Sequence, residues 1–181
     1  QVVRTIVLRH SSVPDSDVTG SGVPNYLGAA VISPDGTQAL VPSKQDNLQR
    51  GTLRNGLNLN FQNTVRAVTS RVLTGTGSED LARRVDHDNS SVASAVAFDA
   101  LGVYAFVALE TSREVAVIGA HTGWQVLRLD AGRAPQGVLV SPDNSRLYVS
   151  NFMDRTVDVY DLTPLTGSGI ASVPHLATLQ S

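Results

Sequence analysis

The chain has 181 residues, of which 41% are hydrophobic and 17% are charged, and its formal net charge at pH 7 is -2. This hydrophobic content can supply a core, while the near-neutral charge gives no basic surface for nucleic acid and no polybasic run for an anionic membrane. The chain contains no cysteine, which excludes disulfides, thiolate metal sites and covalently attached c-type haem. No apolar run approaches the roughly 20 residues that span a bilayer. We therefore expect no cofactor in this chain, no nucleic-acid partner and no membrane insertion.

The predicted elements are short strands joined by turn sequences. Residues 1–9, QVVRTIVLR, predict a leading strand without a hairpin before it, and residues 1–24 are assigned to the last strand of a preceding repeat and a linker. Because the chain begins at Gln1 and not at methionine, we expect an N-terminus that is processed or cut from a longer chain. From Gly28 onward, GAAVISPDGTQALVPSKQDN predicts a β-hairpin with a Ser-Pro-Asp-Gly turn.

The strand, turn, strand pattern returns twice and defines an internal repeat. Residues 95–120 lie over residues 137–162 without a gap, at a separation of 42 (137 − 95). The first copy is offset by 66, from Ile32 to Phe98 (98 − 32), so it contains an insertion of 24 residues (66 − 42). Further strands are predicted after the hairpins, at 114–119, 124–130, 156–162 and 175–180.

A period of 42 residues is typical of one four-stranded blade of a β-propeller. The predicted fold is therefore all-β, with about three four-stranded blades plus one leading strand in an incomplete ring. The predicted blades are 25–93 with an insertion at 45–63, 94–133 and 134–181. Three blades cannot close a ring, because closure takes at least four. We expect the remaining blades of the same propeller on a longer polypeptide, or a homo-oligomer or second chain that completes the ring.

Residues 111–151 resemble the YVTN β-propeller repeat. Its signature stands here as Tyr-Val-Ser-Asn at 148–151, and Gly132, Pro135 and Gly137 fill its Gly-x-x-Pro-x-Gly connection. A narrower resemblance, which includes 46–67 and 79–99, is to the propeller portion of bacterial proteins that carry a following di-haem cytochrome c peroxidase or MauG-like domain. This resemblance implies a periplasmic or extracellular, cell-surface location. A haem domain would follow this chain, which has no Cys-x-x-Cys-His of its own.

The insertion is the first candidate for recognition, because long excursions from a rigid scaffold are where binding residues concentrate. The candidate contact residues are Arg50, Arg54, Asn58, Asn60 and Phe61 in the insertion, with Arg113 and Arg155 at equivalent turns of the next two blades. The alternatives are a solvated loop or extended outer hairpin for the insertion, and hydrogen bonds to carbonyls of neighbouring blades for the two arginines.

Asp86, His87 and Asp88 supply two carboxylates and an imidazole, which are suitable groups for a divalent metal or for acid/base work. On a strand, however, Asp86 and Asp88 share one face and His87 points to the other. A turn with side-chain capping bonds is the alternative interpretation. These residues are weak metal candidates, and no metal is predicted.

The predicted function is a non-catalytic propeller module that binds or scaffolds a protein or ligand. The first alternative is an enzyme domain whose metal or acid/base site forms at the axis of the completed propeller, with residues such as His87 and Glu110. The second alternative is a cell-surface adhesion module. No catalytic residue is assigned under the first prediction.

Overall fold

The computed structural model of the chain describes residues 1–166 and 172–180. Three antiparallel sheets follow one another along the chain. The first sheet contains β1 (Val23–Asn25), β2 (Val31–Ile32), β3 (Gln38–Asp46), β4 (Val65–Leu73), β5 (Ser78–Glu79) and β6 (Val85–His87). The second contains β7 (Ala93–Phe98), β8 (Tyr104–Leu109), β9 (Glu114–Gly119) and β10 (Gln125–Asp130). The third contains β11 (Pro135–Val140), β12 (Arg146–Asn151), β13 (Thr156–Asp161) and β14 (His175–Gln180).

Helical structure is confined to short segments of the described chain. A single turn of α-helix, α1 (Phe61–Thr64), precedes β4, and two 3-10 turns cover Leu81–Arg83 and Thr163–Thr166. No helix within the described ranges is long and apolar enough to cross a membrane. The regular structure of the described chain is therefore mainly β-strand, as the sequence predicted.

The second and third sheets are simple meanders. In the first hairpin of each, a side-chain oxygen accepts a hydrogen bond from the backbone N–H five residues later, although the residue types differ. In the second sheet the Asp99 carboxylate accepts from the Tyr104 N–H at 2.8 Å. At the equivalent position of the third sheet, the Ser141 hydroxyl accepts from the Arg146 N–H at 2.9 Å. A short polar side chain at the end of the first strand thus closes each hairpin.

The first sheet departs from this pattern because its innermost strand is broken into β1 and β2. Both pieces pair with β3, and between them the Gly28 N–H donates to the Pro42 carbonyl at 2.8 Å. Pro42 has no backbone N–H to donate to the inner strand, so the ladder of hydrogen bonds is interrupted opposite Pro42. A Cβ on Gly28 would lie 2.6 Å from the Ser94 carbonyl oxygen of the next sheet, which explains the glycine.

Residues 1–9 do not form the predicted leading strand, since none of them is part of a β-strand or an isolated bridge. Instead, the Arg9 N–H donates to the Glu79 carboxylate at 2.7 Å and its guanidinium donates to the Glu79 carbonyl at 2.9 Å. The first regular contact is the bridge between Ser11 and Gly22. Arg9 is therefore anchored to β5 at the outer edge of the first sheet, whereas residues 1–7 are exposed.

Two apolar clusters join the sheets. Leu40 and Ala67 of the first sheet pack with Val96, Val107 and Ile118 of the second. Across the other face of the second sheet, a cluster contains Phe106, Val115, Val117, Leu147 and Val149. A fully buried phenylalanine such as Phe106 contributes about 3 kcal/mol relative to an exposed one. The core is therefore a stack of sheets, each packed face to face on the next.

Candidate binding surface

Three connections between strands lie at the same end of the sheets, which we call the loop end. They are the insertion, residues 47–64 between β3 and β4, residues 110–113 between β8 and β9, and residues 152–155 between β12 and β13. The strands of the second and third sheets start at the same end. The Ser94 hydroxyl donates to the Pro135 carbonyl at 2.7 Å, so the starts of β7 and β11 lie side by side. The predicted insertion, 45–63, began two residues earlier, within β3.

The insertion is fixed at its base by the carboxylate of Asp15. One oxygen accepts from the Arg50 guanidinium at 3.0 Å and from the Asn47 side-chain amide at 3.0 Å. Burial raises the pKa of Asp15, but hydrogen bonds from Ser21 and Arg50 outweigh it and hold the pKa below its usual value. Arg50 also donates through Nε to the Asn58 carbonyl at 3.2 Å. A charge-assisted bond therefore joins the base and the distal part of the insertion.

Asparagine side chains shape the rest of the insertion. Asn55 Oδ1 accepts from the Gly51 N–H at 3.2 Å. Asn60 Oδ1 accepts from the Asn63 N–H at 3.0 Å and so caps α1. Asn60, which was predicted as a contact residue, has this structural role in the chain.

Apolar side chains project from the loop end into solvent. The exposed apolar residues here are Leu48, Leu53, Leu57, Leu59 and Phe61 in the insertion, with Phe152 and Met153 in the β12–β13 connection. Leu53 is 100% exposed and Phe61 is 62% exposed. Single exposed leucines are common on protein surfaces. Several on one braced loop, however, form an apolar surface, and covering it with a partner is favourable in free energy.

The remaining predicted arginines also lie at the loop end and are exposed: Arg54 in the insertion, and Arg113 and Arg155 at repeat-equivalent turns. The backbone φ is 60° at Arg113 and 57° at Arg155, so the repeat extends to the turn geometry. Within residues 1–166 and 172–180, no hydrogen bond or ion pair engages any of these three guanidinium groups. Arg113 is near enough to Asp154 to lower its pKa, after the larger effect of Arg133. Glu110 lies half-buried in the same connection as Arg113.

Asp86 and Asp88 share one arginine and His87 is separated from both. Arg66 donates through Nε to Asp86 at 2.6 Å and through its terminal nitrogen to Asp88 at 3.2 Å. His87 lies buried against the second sheet, with Nε2 2.9 Å from the Thr69 hydroxyl. Asp86 and His87 are part of β6, so the turn of the alternative interpretation begins only at Asp88. Within the described part of the chain, no group of three His, Asp or Glu side chains is placed to hold a metal ion.

Burial dominates the protonation of this segment. It lowers the pKa of His87 to about 3, with smaller contributions from the nearby charges of Arg128 and Arg66. It raises the pKa of Asp86 despite the hydrogen bond from Arg66. His87 is therefore a neutral imidazole at pH 7.

Arg66 is the most consequential residue that the sequence did not reveal. Its side chain is 4% exposed. Besides the two carboxylates, it donates to the Gln62 carbonyl of the insertion and, at 2.8 Å, to the Val18 carbonyl of the N-terminal segment. It therefore joins the insertion, the N-terminal segment and the outer strand β6. A lone arginine at the start of a strand carries no sequence signal of this role.

A cavity of about 860 Å³ lies between the outer strands of the second and third sheets. Asp158 on its wall accepts from the Gly132 N–H at 3.1 Å, from Asn151 at 2.8 Å and from the Thr178 hydroxyl at 2.7 Å. Burial raises the pKa of Asp158, but these hydrogen bonds outweigh it and leave the pKa below its usual value. Asn151, the last residue of the Tyr-Val-Ser-Asn signature, thus joins β12 to Asp158 of β13, and Asp158 in turn binds the connection between the sheets.

Comparison with known proteins identifies the fold. No protein-family model and no curated protein matches the chain. Among solved structures, hydrazine synthase of Kuenenia stuttgartiensis aligns with a TM-score of 0.60 and 16% identity over 77% of this chain and 46% of that chain. A putative 6-phosphogluconolactonase from Bacteroides uniformis aligns with a TM-score of 0.58 and 16% identity, over 88% and 42% of the two chains. The WD40 repeats of RRP9 align with a TM-score of 0.59 and 14% identity, over 86% and 38%.

These likenesses, all at low identity, concern the fold alone. The chain spans less than half the length of each of the three structures. Its antiparallel sheets match the blades of WD40-like propellers, as the internal repeat predicted. The protein is an all-β chain of β-propeller blades.

Proposed function

We propose that this chain is a non-catalytic binding module of a larger propeller, and that its loop end recognises a protein partner. The observation that carries the proposal is the insertion, which is held at its base by Asp15 and by Arg66 and yet exposes a group of apolar side chains. A loop that is ordered before binding loses less conformational entropy when a partner covers it. Solved propellers with this fold include a component of the mitotic checkpoint complex, which is in keeping with a protein partner.

The proposal can be tested by affinity capture from an extract of the source cells. The immobilised chain is compared with a variant in which Leu53, Leu57 and Leu59 are serine. A Leu101→Ser variant is the matched control, because Leu101 is 72% exposed but lies on the β7–β8 turn at the opposite end of the sheets. We expect a discrete protein that the wild type and the control retain and the triple variant loses. Equal capture by all three would contradict recognition by the insertion.

An enzyme is the second candidate, since two of the similar structures are described as putative 6-phosphogluconolactonases. His87, one of the two residues suggested for an axial site, argues against it. His87 is 1% exposed and packed between two sheets, so it cannot contact a substrate without their separation. We therefore expect no hydrolysis of 6-phosphogluconolactone by the purified chain above the uncatalysed rate.

The extracytoplasmic location and the association with a following haem domain belong to the same proposal, and they rest on the resemblance to YVTN-type proteins. Fractionation of the source cells tests the location, with periplasmic or surface-exposed protein as the expected result. Recovery in the cytoplasm alone would contradict it.

A further inference from the structure

The three connections of the loop end carry exposed charge of one sign. Their exposed charged residues are Arg54, Arg113 and Arg155. Glu110 and Asp154, the carboxylates in the same connections, are half-buried. The Asp154 carboxylate is also engaged, because it accepts a hydrogen bond from a backbone N–H at 2.6 Å. The loop end therefore presents guanidinium groups to solvent, and no exposed carboxylate of the three connections opposes them.

Two of these arginines occupy a backbone position that favours glycine. The φ angle is 60° at Arg113 and 57° at Arg155, which follows one repeat later. The turn after the inner strand of each sheet has a similar left-handed position, and there the chain has Gly36, Gly102 and Asn144, with φ of 70°, 69° and 60°. An arginine in this region is strained, since its Cβ crowds the backbone. The chain therefore tolerates strain twice where the side chain is a guanidinium.

The fold does not use either guanidinium. No hydrogen bond or ion pair engages Arg113 or Arg155 among the described residues. The sheet that carries Arg113 is packed on both of its faces, so the exposure of Arg113 is set by its own turn. After the larger effect of Arg133, the charge of Arg113 lowers the pKa of Asp154, the residue before Arg155. The two turns therefore lie close together on neighbouring sheets.

We propose that Arg113 and Arg155, together with Arg54, bind carboxylates of an acidic segment of the protein partner. A guanidinium can bind a carboxylate through two parallel hydrogen bonds, and arginine clusters recognise acidic motifs. The exposed leucines of the insertion lie at the same end, so the segment combines carboxylates with apolar side chains. This inference rests on the proposed function, because its occupant is the protein partner of the loop end, and it adds the charge of that partner.

Selection from a library of random peptides tests the inference without knowledge of the partner. Peptides of about a dozen residues, displayed on phage, are selected on the wild type, on an Arg113→Gln/Arg155→Gln double variant and on Arg4→Gln. Arg4 is the matched control, because it is an exposed arginine beside Gly77 in the β4–β5 turn, at the opposite end of the sheets. We expect the wild type and the control to enrich acidic and apolar residues, and the double variant to enrich apolar residues alone.

A selected acidic peptide then measures the contribution of each arginine. Fluorescence anisotropy of the labelled peptide should show about tenfold weaker binding to Arg113→Gln and to Arg155→Gln than to the wild type, because a charge-assisted contact is lost. Arg113→Lys should restore only part of the affinity, since lysine keeps the charge but not the two parallel donors. Arg4→Gln should bind as the wild type does. Unchanged thermal unfolding of the variants shows that the loss concerns binding and not the fold.

Three results would overturn the inference. Peptides from the wild type that are apolar but not acidic refute carboxylate recognition and leave the proposed function in place. Acidic peptides that bind the double variant as tightly as the wild type refute the assignment to these arginines. Heparin, a polyanion without apolar side chains, should bind more weakly than the peptide, and equal binding shows that the arginines take any polyanion. Enrichment of neither acidic nor apolar residues contradicts the proposed function as well.

Discussion

Acidification should destabilise this protein through one buried imidazole. His87 is 1% exposed between the first and second sheets, and its Nδ1 has no hydrogen-bond partner among the described residues. A proton added there would be buried near the guanidinium groups of Arg128 and Arg66, both of which disfavour it. These are the reasons why the pKa of His87 falls to about 3 from its model-compound value of 6.5.

Proton linkage gives the direction and the size of the change in the free energy of unfolding with pH. The unfolded chain binds a proton at His87 as the pH falls below about 6.5, whereas the folded chain stays neutral there until about pH 3. Stability is therefore lost from about pH 6.5 downward. At pH 5 the solution is about 1.5 pH units below the pKa of His87 in the unfolded chain, so protonation of the unfolded state lowers the free energy of unfolding by about 2 kcal/mol.

Urea denaturation at pH 7 and pH 5 measures this loss, with a His87→Gln variant as the reference. The glutamine retains a polar group for Thr69 but cannot bind a proton, and all carboxylates titrate alike in both proteins. We expect the wild type to lose about 2 kcal/mol more than the variant between the two pH values. An equal loss in both proteins would refute the assignment of His87 as a buried neutral base.

Three further substitutions test the contacts of the loop end and the turns. Arg66→Ala leaves two carboxylates without their cation and should lower the free energy of unfolding by about 3 kcal/mol, measured by urea denaturation; a loss below about 1 kcal/mol would contradict its role. Asp15→Asn should make the amides of residues 47–64 exchange hydrogen about tenfold faster, because a charge-assisted bond is lost; unchanged exchange by mass spectrometry would show that the insertion is braced elsewhere. Ser141→Ala should raise the pKa of Asp143 from about 2, since the hydroxyl of Ser141 is the largest cause of its depression; an unchanged carboxyl titration by NMR would contradict this.

The repeat allowed much of the fold to be predicted from sequence. Strand positions in the second and third sheets follow from the 42-residue period, because each blade repeats the same alternation and the same turn chemistry at Asp99 and Ser141. The first sheet was less predictable. Its broken inner strand depends on Pro42, whose missing N–H faces that strand, and a single sequence does not reveal which neighbour a proline faces.

The site was harder to predict than the fold, for a physical reason. The contacts that brace the insertion join residues far apart in the sequence, such as Arg50 with Asp15 and Arg66 with Val18. No periodicity relates such pairs. The prediction of a leading strand at 1–9 was wrong for a related reason, because alternation predicts strand propensity but not whether a neighbouring strand pairs with the segment.

Site-specific photocrosslinking shows whether a protein partner covers the insertion. A benzophenone amino acid is placed at Leu53, or at Leu101, an exposed leucine at the other end of the sheets, as the control. After irradiation in an extract of the source cells, we expect one discrete protein adduct from position 53 and none from position 101. Adducts of the same pattern from both positions, or no adduct from position 53, would contradict it.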